Sequence, residues 1–377
     1  MYRQVFGRLE KLLVREKPPV ILILGMRQAG KTTLAENLGK TVGEYVRFNF
    51  DLVGDRREFV GQDRHSLALF AQRYKGKLII VDEVQKMPEA TAVVKHLYDT
   101  FGTKFILTGS SEVKIRRGLG DTLAGRVHEE RLYPLSLSEI NVQAGLNFDP
   151  AAEFNNYDEN QKNLMRYLVW GSLPQLQNID IDQHRMYLED LVNTLVSKDV
   201  LEISGTRKTT QVYLLARLLA MQIGQLVNFN ELAINTELSR ESVYRYIDIF
   251  EQMGLVIRAK PISTNEREAI SKATKMYFSD LGVRNALTGD WSDWRQRADR
   301  GQLLENAVFV GIKRANEYAG WRVDLGFFRS AYGAEIDIVE KSGDKQRLFE
   351  VKASEKKNMG KKGVEVVTPA VAQKYLY

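Results

Sequence analysis

The 377-residue sequence contains no cysteine. Without thiolates there are no disulfides, no cysteine-held iron–sulfur cluster and no thiolate zinc site, a usage that fits a reducing cytoplasm. Histidine is nearly as scarce. The four present, His65, His96, His128 and His184, are scattered along the chain and argue against a histidine metal centre. No apolar run approaches the ~18 to 20 residues of a membrane span, so no membrane partner is expected. The opening stretch MYRQVFGRLEKLLVREK carries charge throughout and lacks the apolar centre of a signal peptide. What remains is globular in character, 44% hydrophobic and 27% charged. A chain this long exceeds one ordinary core and predicts two to four domains. The net charge of +6 is unevenly placed: residues 341–363 hold eight Lys/Arg against three Asp/Glu. That density permits a nucleic-acid partner and suits a solvated surface loop equally well.

The stretch that organises the chain is 18–38. Val20–Leu24 is a short apolar run, β-branched at three of five positions, as a buried parallel strand requires. It enters Gly25-Met26-Arg27-Gln28-Ala29-Gly30-Lys31-Thr32, a full G-x-x-x-x-G-K-[ST] match, and a helix is predicted to start at Thr33. Two glycines let backbone N–H groups wrap an oxyanion, and the helix N-terminus adds partial positive charge. Lys31 would reach the β- and γ-phosphates, and Thr32 would hold Mg²⁺ through its hydroxyl. A purely structural glycine turn needs neither a lysine nor a threonine at those places. The nucleotide contacts expected are Gly25, Arg27, Gln28, Ala29, Gly30, Lys31, Thr32 and Thr33.

Fifty residues on, Lys77–Glu83 is an apolar strand ending in two carboxylates, similar to a Walker B segment. Asp82 would meet Mg²⁺ directly or through water, and Glu83 would polarise the water attacking the γ-phosphate. The strand 104–111 ends in hydroxyls; Thr108 and Ser110 are candidate γ-phosphate sensors, against ordinary turn chemistry. Arg126, just before the strand 127–132, is a candidate arginine finger for a neighbour's site, against a plain salt-bridge partner. Strand–helix alternation predicts an α/β fold, a parallel sheet with helices on both faces and its ligand at the strands' C-terminal ends. The polar stretch Asn141–Tyr157 reads as a linker.

Helical patterns over 160–170 and 183–201 predict a small helical lid. Beyond Arg207, helices near 210–222, 229–234 and 239–253 precede a strand at 255–259, the order of a winged helix, with Ser239 as N-cap. The exposed face of the last helix carries no positive excess, which leaves a weak DNA reader and a packing module both open. Near the C-terminus, a helix at 302–318 presents Glu305, and a hairpin brings Glu335 and Asp337 to one face of its second strand. A third strand carries Glu350 and Lys352 on one face. Acids so gathered repel unless protonated or bridged by a cation. Mg²⁺ or Mn²⁺ would bridge them, with Lys352 orienting water for phosphodiester hydrolysis.

These blocks resemble a widespread prokaryotic family of AAA-type P-loop ATPases with a winged-helix module and a C-terminal restriction-endonuclease-like domain. The residues that carry the resemblance are GMRQAGKTT at 25–33, LIIVDEV at 78–84, ILTGSS at 106–111, LAGRV at 123–127 and PLSLSEI at 134–140. LLENAVFV at 303–310, EIDIV at 335–339 and FEVK at 349–352 complete the set. The resemblance implies a P-loop ATPase domain over 1–145, a helical lid over 146–205, a winged helix over 206–262 and a nuclease-like α/β domain over 263–377. It maps the acids of PD-(D/E)xK nucleases onto Asp337 and Glu350, their lysine onto Lys352 and their helix glutamate onto Glu305. One departure stands out: 354–363 is short where such folds place a helix before a parallel strand. The preferred expectation is an ATPase that uses ATP and Mg²⁺, oligomeric with sites between subunits, and coupled to C-terminal modules that handle DNA. The alternatives are an ATP-gated, metal-dependent DNA endonuclease and a nucleotide-gated scaffold with an inactive nuclease fold.

Overall fold

Val20–Leu24 forms β1, buried at every position. The computed structural model describes residues 2–59, 63–110, 123–145, 157–205, 208–262, 274–330, 334–354 and 363–376. The chain divides into two compact units, Met1–Tyr133 with Gln252–Gly254, and Pro134–Glu251 with Leu255–Tyr377.

In the first unit β1 is joined by β2 (Tyr45–Asn49), β3 (Leu78–Asp82), β4 (Lys104–Gly109) and β5 (Val127–Arg131), all parallel, in the order β2-β3-β4-β1-β5. Position in the sheet explains each sequence. The inner strands β1 and β3 are covered on both faces and read as continuous apolar runs, VILIL and LIIVD. The edge strands β2 and β5 are only partly buried and tolerate Arg47, His128 and Glu129. Over one face Leu22, Ile79, Val81, Phe105 and Leu107 pack with the helices Arg64–Arg73 and Ala90–Phe101. Phe59 fills the outer corner, edge-on to Phe48, Phe50 and Phe70 with ring centroids 5.1 to 5.4 Å apart. The five-stranded parallel sheet flanked by helices is the α/β fold expected. Because all five strands run the same way, the residues after β1, β3 and β4 gather along one edge.

The second unit opens on the helix Leu137–Gln143. Ser136 Oγ accepts from Glu139 N–H, and Glu139 accepts in return from Ser136 N–H, each at 2.9 Å, a capping box. This corrects the linker expected from Asn141. That residue is buried in the helix and exchanges side-chain hydrogen bonds with Asn160 and Asn163 of the helix Tyr157–Trp170. Of the asparagines that suggested a loop, Asn141 joins two helices; the others, within 146–156, lie outside the described residues.

Helix Ile181–Asn193 runs through a π-helical turn, Thr194–Asp199, into Val200–Ser204. Helices Thr209–Met221, Phe229–Thr236 and Arg240–Gln252 follow, the last begun by Ser239, whose Oγ accepts from Ser242 N–H at 3.1 Å. β6 (Val256–Ala259) pairs antiparallel with β7 (Lys275–Phe278), across the boundary expected at 262. A second sheet holds β8 (Asp324–Arg329), β9 (Glu335–Ser342), β10 (Lys345–Val351) and β11 (Val364–Val367), in the order β11-β10-β9-β8. β11 pairs parallel with β10. The short connection noted in the sequence therefore does not prevent the parallel strand, because 352–363 spans the dozen residues such a crossover needs. Helix Arg300–Ala319 is buried along Leu303–Ile312. Its Asn306 amide grips the Phe278 backbone, accepting from N–H at 2.7 Å and donating to C=O at 2.9 Å. Among the described residues no helix is long and apolar enough to cross a membrane.

Candidate functional site

The loop after β1 must pass close to the chain leaving β5. A Cβ on Gly25 would lie 2.2 Å from the Leu132 carbonyl oxygen, so only glycine fits. Gly30 has φ +92° and starts the helix Lys31–Val42 in a left-handed conformation. Lys31 is buried and curls back over the loop, its Nζ donating to the carbonyls of Gly25 and Met26 at 3.0 Å each. Ala29 is fully buried, whereas Arg27, Gln28 and Thr33 are exposed. Of the nine expected nucleotide contacts (the eight of the loop and helix start, and Ser110 after β4), Arg27, Gln28 and Thr33 keep their side chains in solvent.

Sequence reasoning missed Arg3. Its guanidinium, 4% exposed, donates to the carbonyls of Ala29 at 3.4 Å and Tyr133 at 2.5 Å, bracing the loop against the segment after β5. No motif marks it, because the contact spans more than a hundred residues of chain.

Two carboxylates end β3 on the same edge. Thr32 Oγ1 donates to Asp82 Oδ2 at 2.8 Å, and Thr108 donates to Oδ1 of the same carboxylate. Arg47 Nη2 stands 3.7 Å away. Thr108 is fully buried, its hydroxyl bonded to Asp82. The hydroxyl of Thr32 and the carboxylate of Asp82 are adjacent hard oxygen donors, a pair that fits Mg²⁺ sharing its shell with water and phosphate. Glu83 adopts φ +56°, ψ +44°, a left-handed conformation that costs a non-glycine residue about 1 kcal/mol and turns the side chain off the strand. Its Oε2 accepts from Gln85 Nε2 and from Ser110 Oγ at 3.3 Å, and Gln85 also donates to Ser110 at 3.0 Å. Burial raises the Glu83 carboxyl above its usual range; Lys31 opposes this and Asp82 adds to it. This half-buried carboxylate is tied to the tip of β4 through Ser110.

Arg126 requires a correction. Val127 pairs with Val20, the first residue of β1, and Val20 N–H donates to the Arg126 carbonyl. In a parallel sheet the residue before β5 must lie beside the start of β1, on the edge opposite the glycine loop. Its Nε donates to Asp99 at 2.7 Å, which raises the guanidinium's pKa and lowers that of Asp99. It is ion-paired on the edge opposite the glycine loop of its own sheet, which corrects the expectation that it stands on the active face.

Residues 17–141 match an AAA domain. The five-stranded parallel sheet of the first unit is thus the α/β fold of a P-loop domain, and over those residues it is similar to an AAA domain. Residues 161–293 and 300–364 match two domains of unknown function, DUF8612 and DUF4143. The chain is similar to an uncharacterised protein of Haemophilus influenzae, 23% identical over 88% of this chain and 82% of that one. An uncharacterised protein of Methanocaldococcus jannaschii is 24% identical over 80% of this chain and 69% of the relative. Among solved structures, a Walker-type ATPase of Pyrococcus abyssi aligns with 76% of this chain and 95% of its own, at 17% identity and a TM-score of 0.47.

The second expected site lies within the second unit and is organised differently from the sequence reading. Glu305 faces β7 rather than only its fellow acids: its Oε1 accepts from Lys275 Nζ at 3.1 Å and from Tyr277 OH at 2.7 Å. Lys275 also meets Glu335 Oε1 at 2.8 Å. Asp337 Oδ2 accepts from Val351 N–H at 2.8 Å, and Glu350 is paired with Lys352 at 2.6 Å. Burial lifts Glu305 to about 7, against the pull of Lys275 and with a push from Asp337. Burial also raises Asp337, against the Val351 hydrogen bond. For Lys275 burial works to lower the pKa, but Glu305 and Glu335 outweigh it and the ammonium is held charged.

Lys275 and Glu305, ~3 Å apart, attract by about 5 kcal/mol at the effective dielectric suited to protein sites. For Glu305 the cost of leaving water exceeds that attraction, which is why its carboxyl stays raised. Among the described residues no three His, Cys, Asp or Glu side chains gather as a metal would require. The donor set therefore does not fit the divalent ion expected at Glu305, Asp337, Glu350 and Lys352. The sequence did hold a signal for Lys275: in KMYF, a period of two places Lys275 and Tyr277 on one face.

The exposed face of the helix Arg240–Gln252, where a weak DNA reader and a packing module were both open, makes contacts within the second unit. Asp248 and Glu251 meet Arg258 at 2.5 and 3.4 Å, and Tyr244 stacks on Phe229 with centroids 4.3 Å apart.

Proposed function

We propose that the chain is a Mg²⁺-dependent ATPase whose chemistry is performed by Lys31, Thr32, Asp82 and Glu83, and whose turnover drives rearrangement of the second unit. One observation carries the reading: Thr32 and Asp82 share a hydrogen bond beside the lysine-closed loop, while Glu83 is aimed separately by Gln85 and Ser110. A structural turn needs neither arrangement. The backbone N–H groups of the loop and the start of the helix at Lys31 bind the phosphates. Thr32 and Asp82 would hold the metal, which supplies charge neutralisation on the β- and γ-oxygens. Glu83 orients the attacking water and accepts its proton, and Ser110, bonded to that carboxylate, links the base to the γ-phosphate side of β4. Gly25, Gly30 and Ala29 shape the cradle.

Phosphate release from ATP with Mg²⁺ tests the reading, with GTP in parallel, and with duplex and single-stranded DNA added to ask what the second unit responds to. Turnover lost in Lys31→Ala supports it. Calorimetry showing no association of ATP with the intact protein overturns it.

A further inference from the structure

In the second unit the helix acid Glu305 and the strand acid Glu335 meet one side chain, with Asp337 close enough to raise Glu305, although no three of the described acids gather as a metal would require. That side chain is Lys275 of β7. Lys275 Nζ stands 3.1 Å from Glu305 Oε1 and 2.8 Å from Glu335 Oε1, bridging helix and sheet. We propose that this ammonium takes the place of a cation between these acids, so that they are charge-compensated from within and hold no divalent metal.

Four observations converge. Lys275 is 2% exposed and sits on a strand rather than on a surface arm. That strand is fixed from two sides, by antiparallel pairing with β6 and by the Asn306 amide clasping Phe278. The oxygen of Glu305 that faces Lys275 also accepts from Tyr277 OH, which is itself buried and stacked on Phe309 at 4.1 Å. Of the remaining acids, Asp337 caps the Val351 N–H and Glu350 is paired with Lys352. Mg²⁺ demands a near-octahedral oxygen shell and keeps several waters, and a fixed ammonium among the donors repels it. The cluster then acts as a bolt between β7, the helix Arg300–Ala319 and β9, and phosphodiester cleavage is not its work.

The test is Mn²⁺ binding to the intact, nucleotide-free protein, followed by the paramagnetic resonance signal of free Mn²⁺. Wild type and Asp337→Asn are expected to bind equally. Lys275→Met is expected to gain a site at least ten-fold tighter than anything in wild type, and to lose it again when combined with Asp337→Asn. Wild-type binding that Asp337→Asn abolishes would overturn the proposal, as would a cooperatively melting Lys275→Met protein with no added site. Should the methionine variant fail to fold, the comparison of wild type with Asp337→Asn decides alone. Supercoiled plasmid with Mn²⁺ gives a second readout: it stays intact with wild type, and nicking that Asp337→Asn removes refutes the inference.

Discussion

Glu83→Gln is the substitution that separates binding from chemistry. Glutamine keeps the size and the reach of the side chain but cannot accept the proton of the attacking water. Both hydrogen bonds to Glu83 among the described residues fall on Oε2, from Gln85 and Ser110, so Oε1 is the oxygen expected to accept the proton. Glu83 touches neither the glycine loop nor Lys31 by hydrogen bond, so ATP affinity should stay within about three-fold. A positioned general base contributes roughly 10²- to 10⁴-fold. At 1.36 kcal/mol per decade this is about 2.7 to 5.4 kcal/mol of barrier. Single-turnover phosphate release with saturating ATP measures the step directly, and calorimetry measures the affinity. Because burial raises the Glu83 carboxyl, the acid limb of the wild-type rate should lie above the usual carboxylate range, with activity rising as pH rises through it. Glu83→Gln turnover within five-fold of wild type would remove Glu83 from the mechanism, whatever its position beside Asp82.

Lys31→Ala should weaken ATP binding by about 10- to 150-fold, the 1.5 to 3 kcal/mol of a hydrogen bond to a charged group, as read by calorimetry. Gly25→Ala places a methyl 2.2 Å from the Leu132 carbonyl and should weaken ATP binding while the melting transition stays cooperative; unchanged affinity would mean the loop does not need that close approach. Arg126→Ala should leave turnover within two-fold, since the residue lies on the far edge bonded to Asp99; a ten-fold drop would return it to the site. Asp280 is fully buried at the start of the helix Leu281–Thr288, where burial lifts it from 3.8 to about 6 despite hydrogen bonds from Ser172 and Val283. A raised acid binds its proton more tightly folded than unfolded, so its contribution to stability falls as pH rises from about 4 to 6, by up to about 3 kcal/mol. Tyr187 is the other titratable group set against it. The difference between wild type and Asp280→Asn in urea stability should shrink by about 1.4 kcal/mol from pH 5 to 7.5, roughly half of the total; the comparison is needed because Glu305, also raised, loses stability over the same range in both proteins.

The strands and the phosphate loop were legible because their causes are local. An inner parallel strand must be apolar at each position, and a phosphate cradle needs two glycines, a lysine and a hydroxyl at fixed spacing, so Val20–Thr32 and Leu78–Glu83 declare themselves in the sequence. Asn141 misled because asparagine suits loops by composition, and only its partners on the helix Tyr157–Trp170 show why it is buried in a helix.

Contacts across the chain were beyond sequence reading. Arg3 reaches Ala29 and Tyr133, Ser110 reaches Glu83, and Lys275 reaches Glu305 and Glu335, each pair brought together by packing rather than by spacing. Arg126 shows the same limit from the other side: its neighbours in sequence suggested an active-edge residue, and strand direction alone put it at the opposite end. The sequence by itself determined which residues could carry nucleotide chemistry, since residue types and short spacings set that. The tertiary structure decided which edge each side chain occupies and which charge answers which, because those depend on strand order and on partners far along the chain.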